Sequence, residues 1–402
     1  MPTTGNLPVH RGVEMENERK LSARVLDIRA SAIHEMTRLS RRYEDVAFLS
    51  WAKPTSGTPE HIREAAARAI EEGRVGGYSE SHGLPELRRR ISEKLRRDNG
   101  IDATEDEVLV TVGAIEGLMA AVMAVIDPGD EVVLPVPAYS THIRQVQLAS
   151  GSPVLVPMDE EAGYRLDLDA VEGAVTPRTR AIMYCSPNNP TGAVHTEREL
   201  RGLADIAQDH DLTVITDEAY EYFTYDGYEH VSFASLPGMR DRTVSCFTLT
   251  KTYAMTGWRI GYLHADASVI PHINKAHIPL AICAPVVSQH AAIAALEGPQ
   301  DCVREFRDHY LSARDLMCER LDALEEVFEY QRPRGSYLMF PRMITEEGRD
   351  SAAFCKALLR EARVSTTPGV AFGPTGEGHA RMSFCVPEEE IDKAFDRMEA
   401  YF

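Results

Sequence analysis

The chain has 402 residues, 44% hydrophobic and 26% charged, which is ordinary globular composition and length enough for two domains. Forty-three Lys and Arg face 62 Asp and Glu, a formal net charge of −19 that argues against nucleic acid or an anionic membrane as the main partner. No apolar run is long enough for a membrane span, and the polar N-terminus has no signal-peptide core. The seven cysteines are scattered without a C-x-x-C pair, so the expected setting is the cytoplasm, with neither zinc nor disulfides.

In chain order, residues 1 to about 20 read as a mobile arm, followed by charged helical patterning over 22–45 and a short strand, "VAFLSW". "TPEHIREAAARAIEEG" reads as a helix capped by Thr58, with Pro59 in its first turn. From "VLVTV" (108–112) onward, strands alternate with helices: "GAIEGLMAAVMAVI" is helical, "EVVLPVP", "SPVLVPM" and "AIMYC" are strands, "ERELRGLADIAQDH" is helical, and "LTVITD" and "TVSCFTL" are strands. That alternation predicts an α/β fold, a mainly parallel mixed sheet covered by helices on both faces. After about residue 305 long charged helices, "YLMFP", a helix at 351–363 and a strand near "ARMSFCV" predict a smaller α+β domain. The expected division is 1–55 as arm and part of the small domain, 56–304 as the large domain, and 305–402 as the small C-terminal domain.

Ligands of open α/β sheets gather at the carboxyl ends of the strands, and the loops there carry chemistry. Gly113, Ala114 and Ile115 open a helix whose free N–H groups suit a phosphate, although a plain tight turn reads the same way. "LTVITDEAY" ends in Asp217, with Tyr220 close behind. A carboxylate just past a buried strand requires a cation or strong donor unless it merely caps a helix. "FTLTKTYAMTGWRIGY" puts Lys251 among apolar and aromatic neighbours, with Arg259 between Gly257 and Gly261. Desolvation there would lower the lysine's pKa and make it a nucleophile for carbonyls. "SPNNPTG" (186–192) ends the strand "RAIMYC" in a stiff loop with two asparagines. Taken alone it is only a turn.

"SPNNPTG", "TDEAY", "TLTKTYAMTGWRIGY" and "HARMSF" together resemble the pyridoxal-phosphate aminotransferases of fold type I, class I/II, in order and separation, from about residue 25 to the C-terminus. The resemblance implies that Lys251 carries the Schiff base to pyridoxal 5′-phosphate and shuttles the proton. It implies that Asp217 pairs with the ring nitrogen, that Asn189 and Tyr220 bond the phenolic oxygen, and that Tyr139 stacks on the ring. Gly113, Ala114, Ile115, Thr248, Thr250 and Arg259 would hold the phosphate, with Tyr78 reaching in from a partner subunit of a homodimer. Arg381 would grip the α-carboxylate of an amino acid or 2-oxo acid substrate, beside Asn189 and the segment Trp51–Ala52–Lys53.

Two positions depart from that family. Ala52 stands where a glycine is usual, with Lys53 beside it, and Ile115 replaces a hydroxyl residue. The first change bears on substrate choice. The segment "SHGLPEL" is similar to one in the aminocyclopropane-carboxylate synthases, so elimination, replacement or ring closure on the same cofactor is the alternative reaction. A non-enzymatic sensor is disfavoured, because such regulators carry a DNA-binding domain ahead of this fold and the chain is strongly acidic.

Overall fold

A computed structural model describes residues 21–28 and 30–402, and the expected arm over 1–20 lies outside the described residues. The segment up to Ala30 is a unit of its own, in which one short helix, Ala23–Leu26, is described. Ser31–Phe402 forms the second unit. In chain order its strands are β1 (Ala47–Phe48), β2 (Val108–Thr111), β3 (Glu131–Val136), β4 (Ser152–Pro157), β5 (Thr179–Cys185), β6 (Thr213–Asp217), β7 (Thr243–Thr248) and β8 (Gly261–His264). Short strands follow: β9 (Phe328–Glu329), β10 (Leu338–Met339), β11 (Arg342–Met343), β12 (Val364–Ser365), β13 (Thr367–Pro368) and β14 (Ala380–Ser383).

Seven strands form one sheet in the order β2-β8-β7-β6-β5-β3-β4, with β8 antiparallel to both neighbours and every other pairing parallel. Side chains alternate faces along a strand, and both faces are apolar here. Val132, Leu134, Ala181, Met183 and Ile215 pack with the helix Gly113–Val125 and with Ile270 and Ile273 of the helix Ile270–Ala281. Their neighbours Val133, Ile182, Tyr184 and Val214 face the other way, onto Leu200, Leu203 and Ala207 of the helix Glu197–Asp209. Leu203 is fully buried, and its truncation to alanine would cost about 2–5 kcal/mol. The antiparallel β8 and the helices Pro85–Asn99, Ser140–Leu148, Ile270–Ala281 and Val286–Glu297 add to the elements read from sequence.

The C-terminal region is α+β. Its helices Asp301–Asp322, Ser351–Glu361 and Glu388–Tyr401 surround the small sheet β10-β14-β13, and β1 pairs in parallel with β12. The strand expected over "VAFLSW" is only two residues long. Beyond Phe48 the carbonyls of Ser50 and Ala52 leave the ladder to accept from Arg381 and Lys251. Thr58 corrects another expectation. The helix Glu60–Glu71 has Pro59 at its N-cap and no side-chain cap. The Thr58 hydroxyl instead donates to the Ala254 carbonyl (2.9 Å) and accepts from Trp258 Nε1 (3.0 Å), tying down the loop that leads to Arg259.

Candidate active site

Because β5, β6 and β7 run parallel and in register, with Cys185 opposite Asp217 and Asp217 opposite Cys246, their carboxyl ends deliver three loops to one edge. A single cavity opens there. Every site residue expected from the sequence lines it except Gly113 and Tyr78.

The two asparagines of "SPNNPTG" divide the labour. Asn188 holds the loop itself: its Oδ1 accepts from Thr191 N (3.1 Å) and Thr191 Oγ1 (2.8 Å), while its own N–H donates to the Ala193 carbonyl (2.7 Å). Asn189 is thereby left to face the cavity, where its Oδ1 accepts from Arg381 Nη1 at 3.3 Å. Gly192 closes the turn at φ +72°, where a Cβ would meet Pro333 at 2.6 Å.

Lys251 lies in the short helix Leu249–Thr252 that follows β7, and its Nζ donates to the Ala52 carbonyl at 2.8 Å. The same carbonyl accepts from the Tyr337 hydroxyl at 3.2 Å. Burial moves the amine down to about 8, with Cys385 opposing the shift and Arg381 adding to it. An amine so shifted has a useful neutral, nucleophilic fraction near neutral pH.

Asp217 ends β6 with its carboxylate in the cavity wall. His142, on the helix Ser140–Leu148, donates from Nε2 to Asp217 Oδ2 at 3.0 Å, and Oδ1 accepts from Ala219 N at 3.2 Å. His142 was not among the expected residues. Its only sequence signal was its place three positions after Tyr139, whose ring it meets edge-on at 5.4 Å. Tyr220 is buried against Tyr337, ring centres 5.1 Å apart and nearly perpendicular. That burial pushes its hydroxyl well above the usual tyrosine value.

The opposite corner is built for an anion. Gly113 sits at φ +74° where the helix Gly113–Val125 begins, and a Cβ there would lie 2.6 Å from Arg259 Nη2. Thr248 Oγ1 donates to the Ile260 carbonyl (3.2 Å) and accepts from Thr250 N (3.1 Å), whereas Thr250 Oγ1 is buried without a partner. An orphaned buried hydroxyl beside a guanidinium and a helix N-terminus fits a phosphate.

Arg381, on β14, is 2% exposed, and burial holds its pKa below the ordinary arginine value. Its Nη2 donates to the Ser50 carbonyl at 2.8 Å, and its Nε is buried without a partner. A fork with a spare donor suits a carboxylate. Trp51 donates from Nε1 to Thr37 Oγ1 at 3.0 Å, so the helix Ala32–Ser40 borders the cavity too, with Ile33 and His34 in the lining. Lys53 is exposed at the mouth. Tyr78 stands away from the cavity of its own chain and is 82% exposed.

This architecture is that of the fold type I pyridoxal-phosphate enzymes. Residues 45–398 match the family described as aminotransferase class I and II, and the chain belongs to that family. It is 39% identical over 382 residues to the aromatic-amino-acid aminotransferase 2 of Thermococcus litoralis, covering 94% of this chain and 97% of that one. It is also 39% identical over 382 residues to the aspartate aminotransferase of Pyrococcus abyssi, with the same coverage. A mutant aspartate aminotransferase of Thermus thermophilus superposes with a TM-score of 0.89 at 35% identity, covering 95% of this chain and 99% of that one. The chain is a pyridoxal-phosphate-dependent aminotransferase, acting on an amino acid and a 2-oxo acid. Among the described residues no helix is long and apolar enough to cross a membrane.

Proposed function

We propose that the cavity around Lys251 is where this transfer occurs, with the following division of roles. Bound pyridoxal phosphate supplies a reactive aldehyde and a conjugated ring that stores the electron pair released at the substrate's α-carbon. Lys251 is the nucleophile, and once freed it takes the α-proton and returns it. Its lowered pKa and the waiting Ala52 carbonyl support this, because the amine can be neutral when it acts and has a fixed position to occupy. Asp217, oriented by His142, gives the ring nitrogen an anionic partner. Asn189 and Tyr220 would bond the ring oxygen, and Tyr139, which lines the same cavity, would cover the ring. Thr250, Arg259 and the backbone of Gly113, Ala114 and Ile115 hold the phosphate, while Thr248 braces Thr250. Arg381 binds the α-carboxylate, with Trp51, Ala52 and Lys53 bordering the side-chain end.

A homodimer follows in this reading, with Tyr78 completing the phosphate site of a second copy. Its exposure supports that, as does the apolar surface beside it, where Ile70 and Val75 line the same hollow and Ile70 is 57% exposed. We also retain the division into a large domain over 56–304 and a small one over 305–402 plus part of 1–55. A cytoplasmic setting fits the seven unpaired cysteines.

The observation that carries the reading is the lowered Lys251 amine facing Asp217 across one cavity. Incubating the holoprotein with aspartate, phenylalanine or alanine plus 2-oxoglutarate tests it. Glutamate should form in step with the matching oxo acid, and Lys251→Ala should abolish this. Ammonia release without an amino acceptor would instead favour elimination.

A further inference from the structure

Arg381 does not stand on its own strand alone. His379 lies two residues before it, so the two side chains share a face of the chain entering β14. His379 is 1% exposed and stacks on Phe340, ring centres 4.8 Å apart and 6° from parallel. Phe340 meets Phe372 edge-on at 5.7 Å, and the Arg381 guanidinium lies over Phe372, 5.1 Å from its centre. The far end of this row is pinned from a different element. Glu160, in the turn that follows β4, accepts from His379 Nε2 at 2.9 Å, and the other ring nitrogen faces the Glu377 carbonyl at 3.1 Å.

Glu160 also pairs with Arg342, the residue bridged to His379 across the strands. Arg342 is half-exposed, and an exposed pair of this kind is worth little. The bond to the buried imidazole is the strong one. Burial pushes the Glu160 carboxyl up, but His379 and Arg342 together bring it below the usual glutamate value.

We propose that Glu160 is a positioning residue for substrate: by holding His379 it fixes the stack of rings on which the Arg381 guanidinium lies. The mechanism is geometric. A buried ring stack moves as a body, so freeing His379 lets Phe340 and Phe372 shift and misaligns a fork that must meet a carboxylate with two donors. The inference rests on the reading of Arg381 as the α-carboxylate site.

The test uses the holoenzyme and whichever of aspartate, phenylalanine or alanine the parent turns over best. Glu160→Leu, which keeps the bulk but offers His379 no acceptor, should raise KM about tenfold and leave kcat within about twofold, with cofactor absorbance unchanged. His379→Phe, which keeps an aromatic ring on Phe340 but loses the bond to Glu160, should do the same. In an Arg381→Lys background, Glu160→Leu should add less than about twofold, because there is no fork left to align. A parental KM in both single variants, a fall in kcat without a rise in KM, or the same tenfold rise on top of Arg381→Lys would overturn the proposal. If Arg381→Lys alone leaves KM at the parental value, it is the assignment of Arg381 that fails, a different variant and a separate result.

Discussion

The ε-amine of Lys251 and the main-chain carbonyl of Ala52 are joined by a 2.8 Å hydrogen bond across the mouth of β7. Tyr337 donates to the same oxygen at 3.2 Å, so the carbonyl is held whether or not the lysine is on it. The segment whose sequence departs from its family therefore faces the nucleophile with its backbone. The methyl of Ala52 leaves that backbone contact intact.

The first prediction concerns the Lys251 amine. Borohydride reduction of the holoprotein followed by peptide mapping should place the pyridoxyl group on Lys251. With the amine lowered to about 8, its neutral fraction grows as pH rises to that value and then saturates. The rate at which apoprotein takes up pyridoxal phosphate should climb roughly tenfold per pH unit below 8 and level off above it. A rate still climbing through pH 10 would mean that the lysine is not desolvated.

Asp217→Asn should retain cofactor yet lose at least about a hundredfold in turnover, since an amide offers no negative charge to a protonated ring nitrogen. His142→Phe acts one shell out and should cost about tenfold. Steady-state rates and the cofactor spectrum of the two variants decide this. Near-parental turnover in Asp217→Asn would leave the carboxylate as a local turn former for Ala219.

Gly113→Ala is predicted to weaken pyridoxal phosphate binding by more than about tenfold, because the new Cβ would lie 2.6 Å from Arg259 Nη2. Adopting φ +74° without glycine costs about 1–3 kcal/mol as well, so the apoprotein should also melt lower. Cofactor titration and thermal unfolding separate the two effects. An unchanged affinity would show that Arg259 swings aside.

Sedimentation should give twice the chain mass. Mixing subunits carrying Tyr78→Ala with subunits carrying Lys251→Ala should restore activity, since a shared site draws Tyr78 from one chain and Lys251 from the other. An active monomer, or no recovery on mixing demonstrably exchanged subunits, counts against the assignment.

Lys53→Ala should raise KM for aspartate several-fold and leave alanine almost untouched, with cofactor binding unaltered. The reason is an exposed cation at the cavity mouth that makes no hydrogen bond or ion pair among the described residues. Equal effects on both amino acids, or none, would return Lys53 to the solvated surface.

Much of this protein was legible locally. The apolar runs of β3, β5, β6 and β7 are buried on both faces, so their composition announces a covered parallel sheet without knowledge of their partners. Their carboxyl ends and the segments that follow them contain Asn189, Asp217, Lys251 and Arg259, and parallel strands oblige those ends to share one edge. What local pattern could not supply was anything that depends on which distant segments meet. His142 reads as an ordinary helix residue until the fold sets it 3.0 Å from Asp217. Thr58 reads as a cap until Ala254 and Trp258 claim its hydroxyl. Of two similar threonines, only the packed structure shows Thr248 bonded to the backbone at Ile260 and Thr250 left with a free hydroxyl. Glu160, far in sequence from Arg381, reaches His379 only because the turn after β4 folds against the strand leading into β14. Periodicity and turn chemistry are short-range and survive in a one-dimensional string. Hydrogen-bond partners and pKa shifts arise from burial among residues far apart in the chain, and only the tertiary structure decides them.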